Sequence, residues 1–84
     1  MEQKLRQDCN IGQNLRNLRQ RNGLSQDKLC VQLQNRGWDI GRSTYAKYEA
    51  GQLNIPIRML VILRKIYGCT YDDYFDGLDS IETE

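Results

Sequence analysis

"DIGRSTYAKYEAGQ", Asp39 to Gln52, is the stretch on which the fold turns. Wound as a helix from Arg42 to Ala50, it puts Tyr45 and Tyr48 on one side. Arg42, Ser43, Ala46, Lys47 and Ala50 fall on the other. That second face is small, polar and basic, whereas an ordinary solvated face is longer and more mixed in charge. Glu49 stands beside the tyrosines at the rim of the apolar side, where an unpaired carboxylate is costly.

The flanking sequence breaks into further helices. Upstream, Asn10 with Gln13 reads as a capping box, and Ile11, Leu15 and Leu18 follow at helical spacing as far as Gly23. Ser25 is placed to cap a second helix, with Asp27 in its first turn at the positive end of the dipole. Leu29, Cys30 and Leu33 form the inner face of that helix, and Gly37 is a natural stop. Downstream, Gly51 ends the quoted helix and Gln52 to Ile55 form a loop. Pro56, the only proline, suits the first turn of a fourth helix, which carries Leu60, Leu63, Ile66 and Tyr67 as far as Gly68. Thr70 with Asp73 makes a second capping box and opens a short fifth helix with Tyr71, Tyr74 and Phe75 turned first to the core, a dimer seam being their second role. Period-two alternation, the mark of strands, is missing throughout. The expectation is a compact all-α domain of five helices over residues 11–78, with an N-terminal arm (1–10) and an acidic tail (79–84).

Composition narrows the function. The 84 residues allow one modest core. No apolar run is long enough to cross a bilayer, and the opening MEQKLRQDCN is too polar for a signal peptide, so a cytoplasmic location without membrane attachment is expected. The net charge of +1 hides a strong asymmetry: all twelve Lys and Arg precede Cys69, against five acids there, which leaves about +7. The last fifteen residues hold six acids and no base. A polyanion partner is one reading of this asymmetry, and a soluble domain with an acidic tail is the other. There is no histidine, and Cys9, Cys30 and Cys69 form no C-x-x-C pair, which argues against a metal site, a disulfide framework or any cofactor. Without His, a ligand cluster or a phosphate-binding glycine loop, an enzyme is not expected.

"IGQNLRNLRQRNGLSQDKL" (Ile11 to Leu29), "IGRSTYAKYEAGQ" (Ile40 to Gln52) and "KIYGCTYDDYF" (Lys65 to Phe75) together resemble the Cro/repressor-type, lambda-repressor-like helix-turn-helix domain, also called XRE. No single piece is diagnostic. The ordered series Leu15-Arg16, Gly23-Leu24-Ser25-Gln26, Arg42-Ser43-Thr44, Glu49, Gly51 and Gly68 is what carries the likeness. It implies sequence-specific binding of duplex DNA, with the helix-turn-helix at helices 2 and 3 and the third helix entering the major groove. The slim Ala46 and Ala50 agree with that entry. By position, Arg42, Ser43 and Lys47 match base-contacting places of the family, although in an isolated helix they would be ordinary solvated residues. Gln26 matches a place that holds a phosphate and braces the third helix, and the exposed N–H groups at its helix end favour an anion. Thr44, Gln52, Asn54 and Arg58 are further phosphate candidates. Arg19, four residues after Leu15, lies on the inner side of the first helix and can reach Glu49, and the likeness pairs these two positions, locking the first helix to the third.

One departure is plain. The commonest version joins helices 2 and 3 by a tight glycine turn of three or four residues. From Leu33 to Arg42 this chain is longer by about one helical turn. A second helix continuing through Arg36, together with Trp38 packed under an enlarged loop, would accommodate the difference. The expected role is a small transcriptional regulator, a repressor acting as a homodimer on an inverted repeat. The alternative is an antitoxin that binds a toxin protein and its own operator. A third possibility is a scaffold that has kept the fold without binding DNA.

Overall fold

Five helices follow one another in the computed structural model, which describes residues 2–77, with side chains from Ile11 onward. They are α1 (Glu2–Arg21), α2 (Gln26–Asn35), α3 (Arg42–Glu49), α4 (Ile57–Tyr67) and α5 (Tyr71–Tyr74). The acidic tail lies outside the described residues.

The first helix corrects the sequence reading. It runs unbroken from Glu2 through Asn10, so Asn10 is not a cap. Gln13 does not reach back; its Nε2 donates to Asn17 Oδ1, one turn ahead, at 3.1 Å. Asn10 and Gln13 have the spacing of a capping box, but Gln13 is used in a bridge along an exposed helix face instead. The helix closes as expected: the Gly23 and Leu24 N–H groups donate to Gln20 and Arg19 carbonyls at 3.0 and 3.2 Å.

Local chemistry sets the other boundaries. Ser25 Oγ accepts from Lys28 N at 3.1 Å and starts α2. That helix does not continue through Arg36, which is its C-cap. The extra length is taken up by a stapled loop. The Leu33 carbonyl accepts from both Arg36 N (3.1 Å) and Trp38 N (2.9 Å), and Gln34 Nε2 donates to the Ile40 carbonyl at 2.8 Å. Ile40 is buried and Trp38 packs half-buried against the core. Pro56 sits one residue earlier than expected, at the N-cap of α4. Gly68 ends α4 with φ +66°, in the left-handed region that suits glycine, and its N–H donates to the Arg64 carbonyl at 2.9 Å. Thr70 and Asp73 form the capping box of α5, with Thr70 N to Asp73 Oδ2 at 2.9 Å and Asp73 N to Thr70 Oγ1 at 3.3 Å.

The core joins all five helices through Leu15, Leu18, Leu29, Cys30, Leu33, Ile40, Tyr45, Met59, Leu63, Tyr67 and Tyr74. Burying each leucine stabilises by about 1.5–3 kcal/mol. Cys30 is a small core residue whose thiol burial pushes upward, away from the reactive thiolate. On α4 Met59 is fully buried, while Leu60 and Ile66 lie at the core margin. Of the three aromatics around α5, only Tyr74 turns inward, and its hydroxyl donates to the Leu60 carbonyl at 2.6 Å. Tyr71 and Phe75, expected in the core, are each 47% exposed. A single helical turn faces the core with one aromatic, and Tyr71 is left beside the Arg64 guanidinium, 5.1 Å from its ring centre. Asn14 Nδ2 on α1 ties down the end of α5 by donating to the Tyr74 and Asp76 carbonyls at 2.8 and 2.9 Å.

The placing of α3 depends on a residue that the sequence reading passed over. Gly12 is buried where α1 crosses the last turn of α3. A Cβ added there would stand 2.8 Å from the Tyr48 carbonyl oxygen and closer still to that of Glu49. Glycine is required because only hydrogen fits between the two backbones.

Candidate nucleic-acid interface

Three helix ends meet at Glu49. Arg19, near the end of α1, donates from Nε to Glu49 Oε2 at 2.8 Å and from Nη2 to Oε1 at 3.1 Å. Its Nη1 donates to the Leu24 carbonyl at 2.8 Å. Gln26, the first residue of α2, donates from Nε2 to Glu49 Oε1 at 3.0 Å. The side chains of Arg19 and Glu49 are only 11% and 5% exposed. A fork-on-carboxylate pair of this kind supplies direction as well as charge compensation.

Ionisation follows from this geometry. Burial works against a charged Glu49, but the hydrogen bond from Arg19, the nearby Tyr45 hydroxyl and the hydrogen bond from Gln26 outweigh it and hold the carboxyl below the usual range. The Arg19 guanidinium is raised by its bond to Glu49. Burial pushes the phenols of Tyr45 and Tyr67 far above their ordinary range. The Tyr45 hydroxyl lies close to that of Tyr67 and to this carboxylate, and neither hydroxyl has a well-aligned hydrogen-bond partner.

Braced from behind, α3 presents Arg42, Ser43, Thr44, Lys47 and Ala50 to solvent, with Tyr45 buried and Tyr48 half-buried. Ala46 and Ala50 line a cleft of about 280 Å³ together with Arg16, Arg19, Gln26 and Glu49. The cleft joins the outer face of α3 to the start of α2, so Gln26 stands beside the α3 face as well as behind it. The cleft also brings in exposed Arg16, a residue that the sequence alone does not mark as functional. The one hint is its spacing, one turn before Arg19 on α1. Gln52 and Asn54 are exposed in the α3–α4 loop and Arg58 is exposed in the first turn of α4. Asn54 lines a second, more apolar cleft with Ile11, Leu53, Ile55 and Leu60. Asp27, next to Gln26, brings Oδ1 to 4.0 Å from Arg42 Nε.

Two helices joined by a stapled loop, the second with a slim basic face outward, match a known pattern over most of the chain: residues 10–74 fit a family model described as a helix-turn-helix domain. The chain belongs to the XRE/Cro-like helix-turn-helix family. The helix-turn-helix domain is a DNA-binding module and not an enzyme. No curated protein and no solved structure matches the chain. In this helix-turn-helix domain α2 and α3 are the motif, and the Arg19–Glu49–Gln26 cluster joins both to α1. Among the described residues, no helix is long and apolar enough to cross a membrane, and no group of three His, Cys, Asp or Glu is placed to hold a metal ion.

Proposed function

We propose that this helix-turn-helix domain is a transcriptional repressor that reads a specific duplex sequence with α3, working as a homodimer on an inverted repeat in the cytoplasm. The observation that carries the reading is the buried clamp on Glu49 behind a slim, exposed, basic outer face. A helix that must enter the major groove needs a narrow face outward and a rigid mount behind. Arg42 has two donors for a guanine edge, Ser43 suits a donor or an acceptor, and Lys47 reaches a base or phosphate one turn on. Gln26, Thr44, Gln52, Asn54 and Arg58, joined by Arg16 at the cleft, supply the phosphate contacts.

Half-exposed Tyr71 on α5 and Phe75 at its C-cap support a two-fold seam, which would set half-sites about 34 Å apart or a multiple of that. The test is selection from random duplex DNA, followed by gel shifts of the selected site over a range of salt. Enrichment of an inverted repeat, with log affinity falling steeply against log salt, is the expected result. Failure to enrich any duplex would overturn the reading and turn attention to a protein partner such as a toxin.

A further inference from the structure

Asp27 has a second neighbour besides the start of its own helix. Its Oδ1 approaches Arg42 at Nε, at 4.0 Å, with the Arg42 and Asp27 side chains 65% and 76% exposed. An ion pair so open to water contributes little to stability. At this separation it is a loose restraint and not a hydrogen bond.

The direction of approach is what carries chemistry. A guanidinium has five N–H donors on three nitrogens in a fixed plane. A two-donor contact with guanine O6 and N7 uses one edge of that plane. With the carboxylate on the Nε side, the edge formed by Nη1 and Nη2 is left for the base. The carboxylate also repels phosphate oxygens, which would otherwise compete for Arg42. Gln26, one residue earlier, donates to Glu49. Consecutive residues at the start of α2 therefore address the two ends of α3, the inner end through Gln26 and the outer through Asp27.

We propose that Asp27 is a positioning residue for Arg42, holding the guanidinium by its Nε side so that its terminal edge meets a base and not the backbone. The proposal rests on the reading of Arg42 as a base contact. An acid favoured only by the dipole of α2 would instead affect helix stability and leave base preference alone.

The experiment uses the full chain and four variants: Asp27→Asn, Asp27→Glu, Arg42→Ala and the double variant Asp27→Asn/Arg42→Ala. Each is titrated by fluorescence anisotropy against the selected site, its single-base variants and an unrelated duplex, with thermal unfolding as a control. Asp27→Asn should bind the unrelated duplex more tightly and lose about tenfold in discrimination at the one base pair that Arg42 reads, within the range that a two-donor pair supplies. Asp27→Glu should recover part of that discrimination. In the Arg42→Ala background, Asp27→Asn should change nothing at that base pair. Full discrimination in Asp27→Asn, with discrimination lost in Arg42→Ala, overturns the positioning role while leaving the base contact standing. Unchanged discrimination in Arg42→Ala removes the base contact itself and the inference with it.

Discussion

Arg19 and Glu49 face each other as fork and carboxylate, 2.8 and 3.1 Å apart at their two contacts, and bind the end of α1 to the end of α3. Removing one partner leaves a buried charge unpaired. Glu49→Ala should therefore destabilise the domain by about 3–5 kcal/mol. A urea titration checks this, and a loss of a few tenths would show that the pair carries no such weight.

The same carboxyl sets an acid limit. Glu49 is held below the ordinary carboxylate range, so the unfolded chain takes up its proton first as pH falls. Its stabilisation is complete above about pH 5, and is lost as pH drops through the ordinary glutamate value of about 4.3 toward the lower folded one. Midpoints of urea unfolding measured from pH 6 to pH 3 should fall more steeply for the parent than for Glu49→Gln. Parallel curves would refute the assignment.

Gly12→Ala should destabilise, even though alanine is the better helix former by up to about 1 kcal/mol. The added methyl meets carbonyl groups of α3 that have no room to yield, and overpacking of this sort costs about 1–3 kcal/mol. Thermal unfolding decides the sign, and a raised midpoint would mean that α1 and α3 are farther apart than described.

Two tyrosine hydroxyls separate satisfied from unsatisfied burial. Tyr74 donates to the Leu60 carbonyl at 2.6 Å, whereas Tyr45 has no aligned partner. Tyr74→Phe should cost about 1 kcal/mol, and Tyr45→Phe clearly less or nothing. Equal losses in chemical denaturation would show that the Tyr45 hydroxyl is bonded after all.

Arg42→Ala should weaken binding to the selected site by about 1–3 kcal/mol and relax preference at one base pair. Equal weakening on every duplex, with a shallower salt slope, would make Arg42 a phosphate contact.

What the sequence disclosed depended on how local the chemistry was. Ser25 and the Thr70–Asp73 box were legible because each cap is satisfied within three residues. Gly68 was legible because the end of a helix calls for a left-handed residue. The partner of Glu49, thirty positions away, was legible in part: helical spacing put Arg19 on the inner side of α1, and the family likeness chose it, since no local rule joins residues so far apart. Gly12 was illegible for the opposite reason: within a helical pattern a glycine reads as a weakness, and its use becomes visible only when a second helix lies on it. The start of α1 was misread because Asn10 and Gln13 are as much at home on an exposed helix surface as at a cap. Asp27 read as a dipole residue, and nothing in the sequence brings it to Arg42.

The stapled loop between α2 and α3 bears on redesign. Trp38, Ile40 and the Gln34 amide make the added length a fixed spacer. If α3 reads DNA as proposed, side chains copied from a short-turn relative and aligned on α2 would fall out of register with Arg42. A transplant would therefore count its register from Arg42, and a module exchanged between relatives would carry Gln34 and Trp38 together with α2 and α3.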